Sequence, residues 1–180
     1  MMNTKTIKLR VSRFNPASDS RPSFQEYDVE CGDDTSLLAA LEHIAKHVDT
    51  TLSFRYSCRH SVCGSCAIMV NGEPVLACNA FLRDLGEVVT VEPLAGFTVL
   101  RDLVVDIDVL FAKIKQVEAH LIELSKNEEM AREHRQSRDD LALIDSYSPC
   151  MLCGICYAAC PKFLENPNYV GPAALVAAHR

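Results

Sequence analysis

Cys58-x4-Cys63-x2-Cys66-x11-Cys78 and Cys150-x2-Cys153-x2-Cys156-x3-Cys160-Pro161 account for eight of the nine cysteines. The N-terminal residues alternate polar and apolar and contain neither a secretory h-region nor a twin-arginine pair before an apolar run. Cysteines that are not exported stay reduced, and closely spaced ones read as metal ligands rather than bridges. The first run has the plant-type [2Fe–2S] spacing, C-x4-C-x2-C…C. Three thiolates come from one loop that folds around the cluster, and Cys78 arrives from a strand further on. Gly64 and Ser65 are small, so backbone N–H groups can approach the sulfurs and stabilise the electron-rich reduced state. Arg55, Arg59 and His60 flank the loop, where they add positive potential or simply solvate it. Cys63 and Cys66 alone would suit half a zinc site, but Cys58 and Cys78 would then be surplus or rearranged.

The second run is the bacterial C-x2-C-x2-C-x3-C-P pattern. Steps of three wrap the backbone around one cubane, which Cys150, Cys153 and Cys156 would hold at three irons. Cys160, after a longer step, points to a different cluster. Zinc has no use for the terminal proline. A two-cluster site needs further cysteines, and none follows Cys160. Cys31, at a strand end, reads as a small apolar residue near a core. Hence the chain is a fragment, or a partner completes the site, or the site is degenerate. Its stop at Arg180, directly after an apolar helical run without a C-cap signal, favours the fragment.

These cysteines need elements to hold them. Thr6–Phe14 alternates as a strand, and Ser23–Cys31 reads as its hairpin partner across turn chemistry at Asn15-Pro16 and Arg21-Pro22. A helix follows with Asp34, Thr35 or Ser36 as N-cap and Leu37, Leu38, Leu41, Ile44, Ala45 and Val48 on one face. Ala67–Val70 is a short strand ended by the hairpin turn Asn71-Gly72; Val75–Ala77 pairs back, and Glu87–Leu94 is a last strand. That order predicts a small α+β ferredoxin-like sheet. After Arg101 the spacing of Ile107, Leu110, Phe111, Ile114, Val117 and Leu121 predicts a helix of several turns. Ser125–Asp140 is densely charged, a solvated helix or linker. The rest reads as a small helical domain, with Pro172 in the first turn of its last helix. Two domains result, 1–105 and 106–180.

Composition bounds the rest. The 180 residues are 48% hydrophobic and 23% charged, near globular averages, with a formal charge of −6. That excludes wholesale disorder and gives no electrostatic footprint for nucleic acid. No apolar run approaches the ~20 residues that span a bilayer, so membrane association would come through a partner.

The segments SCRHSVCGSCAIMVNGEPVLAC, RDLVVD, CMLCGICYAACP and NPNYVGPAALVAAHR occur in one order across the whole chain. In them the sequence resembles the iron–sulfur subunits of succinate dehydrogenase and fumarate reductase complexes, with FLRDL, RDLVVD and CYAACP closer to the fumarate reductases. The resemblance implies an α+β architecture, a β-grasp [2Fe–2S] domain followed by a small all-α ferredoxin-like domain. It implies Cys58, Cys63, Cys66 and Cys78 for [2Fe–2S], Cys150, Cys153 and Cys156 for [4Fe–4S], and Cys160 for [3Fe–4S]. It implies an oxidoreductase subunit with no catalytic acid or base of its own. Single electrons would pass between an FAD-containing flavoprotein subunit and a quinone at a membrane anchor, on the cytoplasmic face of the bacterial inner membrane. A stand-alone ferredoxin-like carrier and the iron–sulfur subunit of a thiol-driven fumarate reductase are the alternatives.

Overall fold

The computed structural model describes residues 5–120, 135–166 and 168–180. β1 (Lys5–Arg13) and β2 (Ser23–Cys31) form the expected antiparallel hairpin, in register from Lys5 opposite Cys31 to Arg13 opposite Ser23. β1 also pairs in parallel with β5 (Val88–Glu92), which pairs antiparallel with β3 (Ala67–Val70), and β4 (Glu73–Leu76) closes the edge. The sheet order is therefore β2-β1-β5-β3-β4. Asn71 and Gly72, at φ 50° and 85°, turn β3 into β4, as an Asn-Gly hairpin turn requires.

α1 (Leu37–His47) lies over this sheet, with Ser36 as its N-cap accepting from the Ala39 N–H. Leu37, Leu38, Leu41 and Ile44 pack into one core with Ile7, Leu9, Val11, Val89 and Val91. Each such side chain contributes ~2 kcal/mol by burial. Val48, expected on the same face, is 61% exposed, because the helix ends at His47 and Val48 is its cap.

Past the sheet, β6 (Val99–Arg101) and β7 (Val104–Val105) make a small hairpin that strand alternation does not reveal, since its strands are so short. α2 (Asp108–Gln116) is shorter than the spacing predicts. Glu118 turns into a left-handed conformation at φ 50°, and Leu121 lies outside the described residues, as does most of the charged stretch. α3 (Arg138–Ile144), capped by Ser137, buries no side chain. α4 (Ile155–Ala158), α5 (Pro161–Glu165) and α6 (Pro172–His179) follow, the last two with proline in their first turn. A second core joins Leu94, Phe97, Val105 and Leu110 to Tyr157, Ala158, Phe163 and Ala173. Tyr157 is its centre: fully buried, edge-on to Phe163, its hydroxyl donating to the Val170 carbonyl at 2.7 Å. Among the described residues, no helix is long and apolar enough to cross a membrane.

One polar junction fastens the sheet to the loop that carries the first cysteines. Asp102, at φ 46° in the β6–β7 turn and 3% exposed, accepts from Arg13 Nε (3.1 Å), the Phe14 N–H (2.9 Å) and the Ser53 N–H (2.9 Å). Arg13 also pairs with Asp49, whose carboxyl is held well below the usual carboxylate range, first by the Thr51 hydroxyl and then by that of Tyr27 and by Arg13. Removing one partner of a largely buried pair strands the other. Asp102→Ala is expected to lower unfolding stability by about 3 kcal/mol, read by denaturant titration. Asp34→Ala, which removes the exposed partner of Arg83, should leave the curve in place.

Candidate functional site

The loop between α1 and β3 begins at Ser53, pinned to the β6–β7 turn by its N–H to Asp102 and its carbonyl to the Leu103 N–H. Phe54 and Tyr56 stack at 5.4 Å, and the Arg59 guanidinium lies over Tyr56 at 5.3 Å. Arg59 donates to both carboxylate oxygens of Glu42 on α1, at 2.9 and 3.1 Å. So Arg59 brackets the loop to the helix rather than merely solvating it. Arg55 lines the cavity beside Cys63. His60 contributes its backbone N–H to a sulfur.

Arg59 and Ser61 both adopt left-handed backbone, at φ 60° and 58°, in the stretch that winds around Cys58. The N–H groups of His60, Val62 and Cys63 reach Cys58 Sγ at 3.4, 3.4 and 3.3 Å. The Cys58 N–H points at Cys63 Sγ at 3.5 Å. The Ser65 hydroxyl, followed by backbone N–H groups, pulls the Cys63 thiol down to about 6. Cys66 is 4% exposed, and burial pushes its thiol up to about 11. Its hydrogen-bond partner is Cys78, on the 3₁₀ turn Ala77–Asn79 that follows β4. Burial opposes the Cys78 thiolate, yet the Ser61 hydroxyl at 3.6 Å and Cys66 bring its pKa below the ordinary value.

Hydrogen bonds thus link Cys58 with Cys63 and Cys66 with Cys78, and the charge of Cys63 also acts on Cys66. Among the described residues no three His, Cys, Asp or Glu side chains gather around a single ion. A [2Fe–2S] cluster takes four cysteines across two irons, so a two-and-two set fits it. The hydroxyls of Ser61 and Ser65 were not legible as sulfur partners, because no spacing rule links a serine to a thiolate across a folded loop. Cys31 stands apart in the sheet core, its sulfur 3.4 Å from the Lys5 carbonyl.

In the second run the chain doubles back through Leu152 (φ 57°) and Gly154 (φ 80°) into α4. Cys156 lies on the open side of α4, and its thiol is pushed up, by lost hydration first and then by the facing sulfurs of Cys153 and Cys150. Cys160 sits at the other end of α4, where it is the N-cap of α5. The short steps between Cys150, Cys153 and Cys156, with Cys160 set off at the far end of α4, follow the bacterial ferredoxin spacing.

The two runs are neighbours. A Cβ placed on Gly64 would lie 2.6 Å from Cys153 Cβ and 2.9 Å from Cys153 Cα. Beside that contact is a cavity of about 280 Å³, lined on one side by Cys63, Gly64 and Ile68 and on the other by Phe111, Leu152 and Cys153. The spacing read Gly64 as room for N–H groups near sulfur; its larger consequence is this backbone contact with the second run.

Residues 8–112 match the family described as 2Fe-2S iron-sulfur cluster binding domain. The fumarate reductase iron-sulfur subunit of Escherichia coli O6:H1 is 41% identical over 180 residues, covering 100% of this chain and 73% of that protein. The succinate dehydrogenase iron-sulfur subunit of Coxiella burnetii is 38% identical over 174 residues, covering 94% and 72%. The chain therefore spans nearly three quarters of these relatives' lengths. The solved "Mycobacterium smegmatis Sdh1 complex in the apo form" superposes with a TM-score of 0.83 at 29% identity, over 94% of this chain and 71% of that one.

The sulfur environments can be read directly in the cluster-free chain. Alkylation of Cys63, followed by mass spectrometry, is expected to rise through pH of about 6, while Cys66 resists until about 11. Ser65→Ala should move the Cys63 curve upward. A Cys63 curve centred on the free-thiol value of about 8.5 would contradict the hydrogen-bonding described.

Proposed function

The chain belongs to the iron–sulfur subunit family of fumarate reductases and succinate dehydrogenases, and from that premise we propose which residues carry its electrons and between which partners. It is an electron-transfer subunit of an oxidoreductase complex that interconverts succinate and fumarate. Cys58, Cys63, Cys66 and Cys78 hold a [2Fe–2S] cluster. Cys150, Cys153 and Cys156 hold three corners of a [4Fe–4S] cluster, and Cys160 is a ligand of a [3Fe–4S] cluster. The ligands divide between two modules, residues 1–105 and 106–180. The observation that carries this reading is the meeting of the two cysteine runs at Gly64 and Cys153, between the two hydrophobic cores.

When bound, such clusters take up and release one electron at a time. The chain's own residues set how well they do so. The N–H groups of His60, Val62 and Cys63 and the hydroxyls of Ser61 and Ser65 point at the sulfurs. There they stabilise the added negative charge and raise the potential. Leu94, Leu103, Val105 and Ile107 help to line the space between the runs with apolar surface. That keeps the local dielectric low. No side chain here is asked to move a proton.

The electrons come from or go to an FAD-containing flavoprotein subunit, where the two-electron chemistry on succinate or fumarate takes place. At the other end they meet a quinone bound at a membrane anchor. The chain sits peripherally on the cytoplasmic face of the inner membrane, held by these subunits. Family membership supports these partners.

Cys78→Ala in the purified complex is expected to abolish the [2Fe–2S] EPR signal and to lower iron by about two per chain. Cys153→Ala should remove the cubane-type signal and spare the first. An unchanged [2Fe–2S] signal in Cys78→Ala would overturn the ligand assignment.

A further inference from the structure

Three glycines carry the seam between the sheet side and the helical side. A Cβ on Gly64 would meet Cys153 Cβ at 2.6 Å, Cα at 2.9 Å and N at 3.3 Å. One on Gly96 would meet Leu164 Cδ2 at 2.7 Å and Phe163 Cε1 at 3.1 Å. One on Gly154, from the opposite side, would meet Leu94 Cδ2 at 3.1 Å and Phe97 Cζ at 3.2 Å. Each contact crosses the seam, so neither half can come closer than these bare backbones allow.

We propose that Gly64 is a positioning residue for electron transfer: by letting its backbone touch Cys153, it sets the separation of the two cysteine runs, with Gly96 and Gly154 holding the same seam further out. This deepens the proposed function and rests on it. Gly64 is flanked by Cys63 and lies two residues from Cys66, and its contact is itself one of the second run's cysteines. What it touches is the Cβ and backbone of Cys153, which cannot swing aside as the end of a long side chain can. Any side chain at position 64 must therefore move one run away from the other. A single electron crosses this seam, from the reduced centre on one side to the oxidised centre on the other; no bond forms or breaks and no proton moves.

Distance is read without turnover by EPR. In the reduced complex, two paramagnetic centres this close broaden each other's signals and speed each other's relaxation, an interaction that falls as a steep power of their separation. Gly64→Ala is expected to keep full iron and sulfide and both signals while losing much of this mutual broadening. Gly96→Ala, whose added Cβ would meet the side chains of Leu164 and Phe163 rather than a cysteine, should weaken it in the same sense. Gly86→Ala is the control for backbone strain. Gly86 has φ 90°, against 72° for Gly64, but no neighbour within 4 Å of its Cβ position, and its variant should keep the parent coupling.

Unchanged coupling in Gly64→Ala with both centres present overturns the proposal. If Gly64→Ala loses a centre, Gly96→Ala decides, and unchanged coupling there overturns it. Loss of a centre from both variants, with Gly86→Ala complete, also overturns it, because the seam would then serve assembly and not spacing. A parent complex lacking two interacting centres would contradict the proposed function instead.

Discussion

Two cysteine-bearing loops far apart in the sequence meet in space, and the bare backbone of Gly64 is what lets them approach. Gly64 against Cys153 is the contact. Around it the two cores are built back to back: α1 on the five-stranded sheet, and the aromatic group of Phe97, Tyr157 and Phe163 beneath the second run. Glycine is needed at position 64 twice over, for its left-handed φ of 72° and for its missing side chain. A close-packed interior transmits any added volume as displacement rather than absorbing it.

The first loop also has to hold four thiolates in a shape the backbone would not choose unaided. Arg59 and Ser61 both sit in left-handed conformations that L side chains seldom adopt. Three restraints offset that strain. The bidentate Arg59–Glu42 pair ties the loop to α1. Asp102 ties its start to β1 and to the β6–β7 turn. Sulfur-directed N–H groups gather the turn around Cys58. The chemistry of the loop and the stability of the sheet are thus linked through Asp102, which is far from every cysteine in sequence.

Local pattern made much of this legible. Alternation placed β1 and β2, the Asn71-Gly72 pair placed the β3–β4 turn, and cysteine spacing identified both runs. Longer-range features were not legible. Asp102 looks like any turn aspartate, because its three donors come from Arg13, Phe14 and Ser53. The β6–β7 strands are too short to alternate. Apolar spacing carries the helix from Ile107 past the point where Glu118 reverses the backbone, so α2 is shorter than the spacing predicts. Val48 kept the helical spacing but fell at the cap, where nothing covers it. In each case the deciding partner is remote in sequence or the deciding event is a single dihedral angle.

Two cysteine runs meeting at one seam are expected to hold more than one iron–sulfur centre. The most direct test is an EPR-monitored redox titration of the anaerobically purified complex, with iron and acid-labile sulfide counted on the same sample. A [2Fe–2S] signal accompanied by distinct cubane-type signals, with iron and sulfide to match, is the predicted result. Zinc in place of iron, without sulfide, would contradict it.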